Sequence, residues 1–209
     1  MIIGLTGSMA AGKSTVSALL AEMGFYILDA DRLAHEVLHS PAVTRRIAEE
    51  FGEDVLGEDG RVVHARLAEK AFSSPESTEK LNSLIHPAVI EAMLARAEEF
   101  LLEYPELPVV FDVPLLFEAG MDKYCDRVLV VAADDEKRYL RIMLRDGLTR
   151  EQAARRIARQ MPQEDKLERA DAAVWNDGTI DELRFELRKA LDSLGIPVPR
   201  PHVCNLGQY

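Results

Sequence analysis

The sequence predicts an α/β protein organised around a phosphate-binding loop, and two observations carry that reading. Gly7-Ser8-Met9-Ala10-Ala11-Gly12-Lys13-Ser14 fits the pattern G-x-x-x-x-G-K-[ST]. It lies between the apolar run Ile2–Thr6 and the helical spacing of Val16, Leu19, Leu20 and Met23, which Gly24 stops. Further on, short apolar runs alternate with amphipathic helical stretches, as expected for strands covered by helices.

A strand that feeds a glycine loop and then a helix N-terminus makes an anion site. Backbone N–H groups converge on the phosphates, the helix dipole favours negative charge, and Lys13 adds a full positive charge. The Ser14 hydroxyl, with Thr15 beside it, suits a magnesium ion held between phosphates. The loop therefore reads as a nucleoside triphosphate site.

Phe25–Leu28 reads as the second strand and ends in Asp29-Ala30-Asp31. Two carboxylates at a strand's carboxyl end stand where open α/β sheets bind ligands. Either can also cap the helical pattern of Arg32–Leu38. From Ser40 to Leu102 the chain reads as helical and interrupted, an inserted substrate-binding unit between strands two and three. Pro41 suits the first position of a helix to Phe51, Gly57-Glu58-Asp59-Gly60 is a turn, and a short helix runs on to Phe72. Ser73-Ser74-Pro75 opens another helix. Pro87 is expected to start a long amphipathic one, with Val89, Ile90, Met93, Leu94, Ala97, Phe100 and Leu101 on its core stripe.

Pro108–Asp112 is the third strand, an apolar run with an acidic end of the kind that supports magnesium in phosphate-loop proteins, so Asp112 is a candidate metal residue. Pro114–Glu118 follows at the same sheet edge. Arg127–Ala132 is a fourth strand, apolar enough to be buried on both faces. Next comes a basic helical stretch, Lys137, Arg138, Arg141, Arg145, Arg150, Arg155, Arg156 and Arg159. Arg141 and Arg145 lie four apart and share one helix face, placed to reach a polyphosphate. Ala172–Trp175 is a fifth strand, Asn176-Asp177-Gly178 ends it, and Thr179 caps a last helix with Leu183, Leu187, Ala190, Leu191 and Leu194 on its core face. Residues 196–209, rich in proline, form an irregular tail.

Composition sets the outer limits. At 209 residues the chain is one domain with insertions or a small lid. A net charge of −11 argues against a general nucleic-acid binder, and no apolar stretch is long enough to span a membrane. Cys125 and Cys204 make no disulfide framework and have no metal-ligand spacing. The N-terminal strand runs straight into the phosphate loop rather than forming a signal peptide, so the expectation is a reduced, cytoplasmic protein.

Several elements in order, Asp29-Ala30-Asp31, Leu81-Asn82 before His86-Pro87, Asp112-Val113-Pro114-Leu115-Leu116-Phe117-Glu118, and Ala170-Asp171 before Asn176-Asp177-Gly178, resemble those of the dephospho-CoA kinases from Ile2 to about Leu194. The resemblance implies a three-layer P-loop NTPase fold with a five-stranded parallel sheet. A core (about 1–39, 103–133 and 170–195) would carry a helical CoA-binding insertion (about 40–102) and a mobile helical lid (about 134–169). It implies transfer of the ATP γ-phosphate, with Mg2+, to the ribose 3′-hydroxyl of dephospho-CoA.

Residue by residue, the resemblance has Ala10 to Thr15 hold the phosphates, with Gly7 opening the loop, and Lys13 on the β/γ side. It makes Asp31 the general base, Asp29 an orienting group, and Arg141 and Arg145 lid residues that neutralise the transferring group. Asn176 would lie near the adenine, and His86, Leu115 and Glu118 would line the acceptor site. Three positions depart from the family pattern. Ala10 replaces a glycine, which requires a negative φ there. His64 replaces an arginine, with Arg61 and Arg66 close by as substitutes, and Arg138 stands where the lid helix usually has glutamine. The competing readings are another small-molecule kinase of this fold, a nucleotide-dependent switch, and a non-catalytic ATP-binding protein. A switch would need a guanine-reading Asn-Lys-x-Asp, which the chain lacks.

Overall fold

The computed structural model describes residues 1–199, and the tail expected beyond them, with Pro201 and Cys204, lies outside the described residues. Five strands form one parallel sheet: β1 (Ile2–Gly7), β2 (Tyr26–Asp29), β3 (Val109–Asp112), β4 (Arg127–Ala132) and β5 (Ala172–Trp175), in the order β2-β3-β1-β4-β5. β1 pairs with β3 on one side, Leu5 against Asp112, and with β4 on the other, Gly7 against Val131. This register brings the acidic end of β3 alongside the strand that feeds the phosphate loop.

The strand cores are solid runs of apolar residues rather than alternations because both sheet faces are covered. Val109, Val110, Phe111, Leu129, Val130 and Val131 are fully buried. Helices α1 (Lys13–Glu22), α6 (Asp135–Asp146), α7 (Arg150–Ile157), α8 (Gln163–Glu168) and α9 (Ile180–Ser193) belong to this unit, which comprises Met1–Leu28 and the chain from Glu99 onward. α9 opens with a capping box in which Thr179 and Glu182 satisfy each other's backbone N–H. Its Leu183, Leu187 and Leu191 join Val16, Leu19 and Leu20 of α1 in one core.

A second compact unit, Asp29–Glu98, is helical. It holds α2 (Ala30–Leu38), α3 (Pro41–Phe51), α4 (His64–Ala71) and most of α5 (Pro75–Glu103). Leu38, Val43, Ile47, Val55, Val62, Leu67, Ala71 and Leu81 form its core. The Gly57–Gly60 turn closes a single antiparallel bridge between Leu56 and Val62.

One expectation fails here. Pro87 does not start a helix, because α5 is continuous from Pro75 and Pro87 lies in its interior. The true start is capped by Ser74, whose Oγ accepts the Ser77 N–H at 3.1 Å, with Pro75 at the first helical position where a missing N–H costs nothing. An interior proline costs about 3 kcal/mol. Packing of Leu81, Leu84, Ile85 and Ala88 against the helical core offsets that, since each buried leucine-sized side chain contributes about 1.5–3 kcal/mol.

Candidate active site

The loop between β1 and α1 is held in one conformation by three kinds of constraint. Gly7 passes so close to β4 that a Cβ there would stand 2.8 Å from the Val131 carbonyl oxygen. Gly12 has φ +97° and no room for a Cβ beside the Asn176 amide. Ala10 also lies in the left-handed region, φ +61°. The negative φ expected for alanine at that position is therefore wrong. The loop's path demands the conformation, and this chain meets it with a residue that is strained there.

Three of the loop's carbonyls, those of Met9, Ala10 and Ala11, are drawn outward. Arg138 is only 4% exposed and donates from Nε to the Met9 carbonyl at 3.1 Å, while its Nη1 pairs with Asp135 at 2.7 Å. Arg141 donates from Nη1 to Ala10 O at 3.1 Å and Ala11 O at 3.4 Å, and from Nη2 to Asn176 O at 2.8 Å. Asn176 Nδ2 completes the set with Ala11 O at 2.8 Å. In a trans peptide the N–H points opposite to its C=O, so fixing the Met9 and Ala11 carbonyls turns the Ala10 and Gly12 N–H groups to the other side of the loop, while the Ala11 N–H bonds the Ser8 carbonyl at 3.0 Å.

Helix α1 begins with no side-chain cap and no acidic residue in its first turn, which keeps its positive end available for an anion. Ser8 Oγ is buried without a hydrogen-bond partner. Lys13 pairs with Asp112, and the carboxylate is nearly buried at the end of β3. Ser14 is exposed on the first turn of α1. The hydroxyl of Ser14 and the carboxylate of Asp112 are hard oxygen donors, the set that suits Mg2+. An uncapped helix end, an orphaned hydroxyl, a lysine and outward-turned carbonyls together fit a bound polyphosphate.

The other expected residues are distributed as follows. Arg145 does not share the task of Arg141: it forms a two-point pair with Asp146 of its own helix, at 2.8 and 3.0 Å, and Arg156 binds the same carboxylate. Together these arginines hold the Asp146 carboxyl below its ordinary range, Arg145 contributing most. Glu118 accepts the Met161 N–H at 3.1 Å and pairs with Lys166 at 3.1 Å, while Leu115 is exposed. Lys166 is wholly buried and also reaches the Pro114 carbonyl, to which Thr6 Oγ1 donates at 3.0 Å. The segment Pro114–Glu118 is thereby tied to α8.

In the helical unit, Asp29 is the cap of α2, its carboxylate accepting the Arg32 N–H at 3.0 Å, and Asp31 lies in the first turn. His86 is exposed on α5. Of the two possible substitutes at the His64 position, Arg66 is committed to the carbonyls of Asp54 and Leu56 at 3.2 and 2.9 Å, and Arg61 is exposed. His64 itself is held below the ordinary imidazole value by burial and by the neighbouring His35 and His39.

Sequence reading missed Arg138 and Lys166 as site-forming residues. Arg138 had a signal, since it lies three before Arg141 and so shares its helix face. Lys166 had none, because its burial is decided by the turn at Pro114, 52 residues away.

The comparisons with known proteins agree with this geometry. The family model described as dephospho-CoA kinase matches residues 1–182. A dephospho-CoA kinase from Fusobacterium nucleatum is 41% identical over 194 residues, covering 93% of this chain and 98% of that protein. A crystal structure from Thermus thermophilus superposes with a TM-score of 0.76 at 37% identity, covering 93% of this chain and 97% of that one. The dephospho-CoA kinase from Campylobacter jejuni has a TM-score of 0.71 at 26% identity, covering 92% and 96%.

Proposed function

Because the chain belongs to the dephospho-CoA kinase family, we propose that it transfers the γ-phosphate of ATP to the ribose 3′-hydroxyl of dephospho-CoA, giving coenzyme A and ADP. The single observation that carries this reading is the phosphate loop, with Lys13 beside Asp112 and with Arg138, Arg141 and Asn176 bonded to its carbonyls.

Phosphoryl transfer asks the protein mainly for positioning and charge neutralisation. The loop's N–H groups and Lys13 would cradle the triphosphate, Lys13 exchanging Asp112 for the β- and γ-phosphate oxygens. Ser14 and Asp112 would hold Mg2+, which neutralises the charge that develops on the β- and γ-phosphates. Arg141 already spans the loop and Asn176, so it fixes the cradle. Arg145 would have to leave Asp146 to reach the transferring group. Asp31 takes the role of base toward the acceptor hydroxyl and Asp29 that of an orienting group. Asp29 also caps α2, so its replacement disturbs the helix as well as the chemistry.

The region of α6 to α8 serves as the lid, the helical unit, with His86, binds the CoA moiety, and Leu115 and Glu118 are acceptor-binding residues of the other unit. No helix among the described residues is long and apolar enough to cross a membrane; the setting assigned to this biosynthetic kinase is the cytoplasm.

The test is phosphate transfer from ATP and Mg2+ to dephospho-CoA against adenosine, AMP and gluconate, in wild type and Asp31→Asn. Dephospho-CoA should be strongly preferred, and the folded variant should lose about 100-fold or more in kcat, the scale of a positioned acid–base group. Equal rates with the other acceptors would refute the substrate, and full activity in Asp31→Asn would refute the base.

A further inference from the structure

Three of the chain's five histidines meet within the helical unit. His35 and His39 stand one turn apart on α2, and His64 is the first residue of α4. One ring nitrogen from each lies within 4.8 Å of the other two. The rings are closely packed. His35 and His64 are stacked at 4.7 Å, and His39 meets both edge-on, at 5.3 and 5.4 Å, so shared ligation requires an exposed ring, His35 or His64, to turn about its side-chain torsions until the lone pairs converge.

A hydrogen-bonded imidazole cluster accounts poorly for this arrangement. His39 Nε2 and His64 Nε2 are 3.4 Å apart, longer than an ordinary N–H hydrogen bond of about 2.7–3.2 Å. Two imidazole nitrogens bound tetrahedrally to zinc, each about 2.0–2.1 Å from the ion, stand about 3.3–3.4 Å apart, which is the separation of His39 Nε2 and His64 Nε2, while His35 lies within 4.8 Å of both. His39 Nδ1 is buried without a hydrogen-bond partner. His35 and His64 are exposed, which gives an ion a path in and a water a place in the fourth position.

We propose that His35, His39 and His64 form a three-histidine site for a divalent transition ion of the zinc class, joining α2 to α4 within the helical unit. Imidazole nitrogens suit Zn2+, Co2+, Ni2+ and Cu2+ and are poor ligands for the Mg2+ that accompanies the nucleotide, so the two ions do not compete for one site. The ion bridges chain positions 25 residues apart. It also pins the helix whose first turn carries Asp31, because His35 follows Asp31 by four residues on α2 and His39 is the residue that caps the helix's C-terminal end.

The test uses the full, untagged chain in excess Mg2+, titrated with Zn2+ by calorimetry and with Co2+ by visible absorption. One equivalent of each should bind, with the intense d–d bands of a tetrahedral cobalt site. Zinc at about 100-fold over Kd should raise Tm by about 5 °C. His39→Ala and His64→Ala should each weaken binding by at least about 100-fold, since even the groups that orient a metal ligand are worth about 10–100-fold. His86→Ala, which alters a histidine of the same unit outside the cluster, should bind as wild type. His35→Ala replaces an exposed side chain and keeps the test valid if either other variant unfolds. Absence of a stoichiometric site, displacement of zinc by Mg2+, or wild-type affinity in the cluster variants would overturn the proposal.

Discussion

Replacing Ala10 with glycine should make this protein more stable, although the change removes a methyl group and adds freedom to the unfolded chain. Ala10 sits at φ +61°, where an L-residue is about 1–2 kcal/mol less favourable than in a right-handed conformation. Glycine carries no such penalty, so Ala10→Gly regains that amount in the folded state. Against it stands the larger conformational entropy of glycine in the unfolded chain, about 0.4–1 kcal/mol. The difference is a net stabilisation of about 0.5–1 kcal/mol, or ~2 °C in Tm for a chain of this size.

Gly147 provides the opposite control. It ends α6 at φ +65° with nothing within 4 Å of a Cβ placed there, so any effect of Gly147→Ala is conformational. That substitution should lower Tm by a similar ~2 °C. Thermal unfolding followed by circular dichroism, in the absence of nucleotide, reads both. A fall in Tm for Ala10→Gly, with the expected fall for Gly147→Ala, would show that Ala10 is not strained. The account of the loop's path would then be wrong.

Other outcomes follow from the same structure. Gly12→Ala places a methyl against the Asn176 amide at φ +97°, and should abolish ATP binding in equilibrium dialysis; retention of wild-type affinity would mean the loop can move away from β5. Lys166→Ala, at a fully buried position, removes the cation paired with Glu118 and one of the two donors to the Pro114 carbonyl, and should cost about 3 kcal/mol in urea unfolding. The paired Lys166→Met and Glu118→Gln should recover most of that loss, since packing is kept and no lone charge remains. Cys125 has its thiol pushed up to about 12, first by burial and then by Asp122 and Asp126, so alkylation mapped by peptide mass spectrometry at pH 8 should leave it unmodified until the protein is denatured. The sign for stability follows: above about pH 9 the unfolded thiol ionises while the folded one stays protonated, so this group lowers stability as pH rises through that range.

What the sequence by itself determined is local. The phosphate loop was legible because its glycines, lysine and serine are adjacent in the chain. Strands Arg127–Ala132 and Ala172–Trp175 and helices Pro41–Phe51 and Ile180–Ser193 were legible because apolar runs, a proline at the first helical position and a threonine cap act within a few residues. The tertiary structure decided the rest. Arg138 and Arg141 reach loop carbonyls across about 130 residues of chain, and Asn176 does so across 165. No pattern of spacing encodes such a meeting, because it depends on which helix the sheet order places over the loop.

The same holds for the left-handed backbone of Ala10, which the fixed ends of the loop impose on a residue that does not prefer it, and for Pro87, which core packing on either side holds inside a helix it would otherwise end. It holds for the three histidines as well. Two of them are brought together by helical periodicity, but only the packing of α3 against both α2 and α4 brings the third within a ligand's reach, because side-chain chemistry is written along the chain while distance is set by the fold.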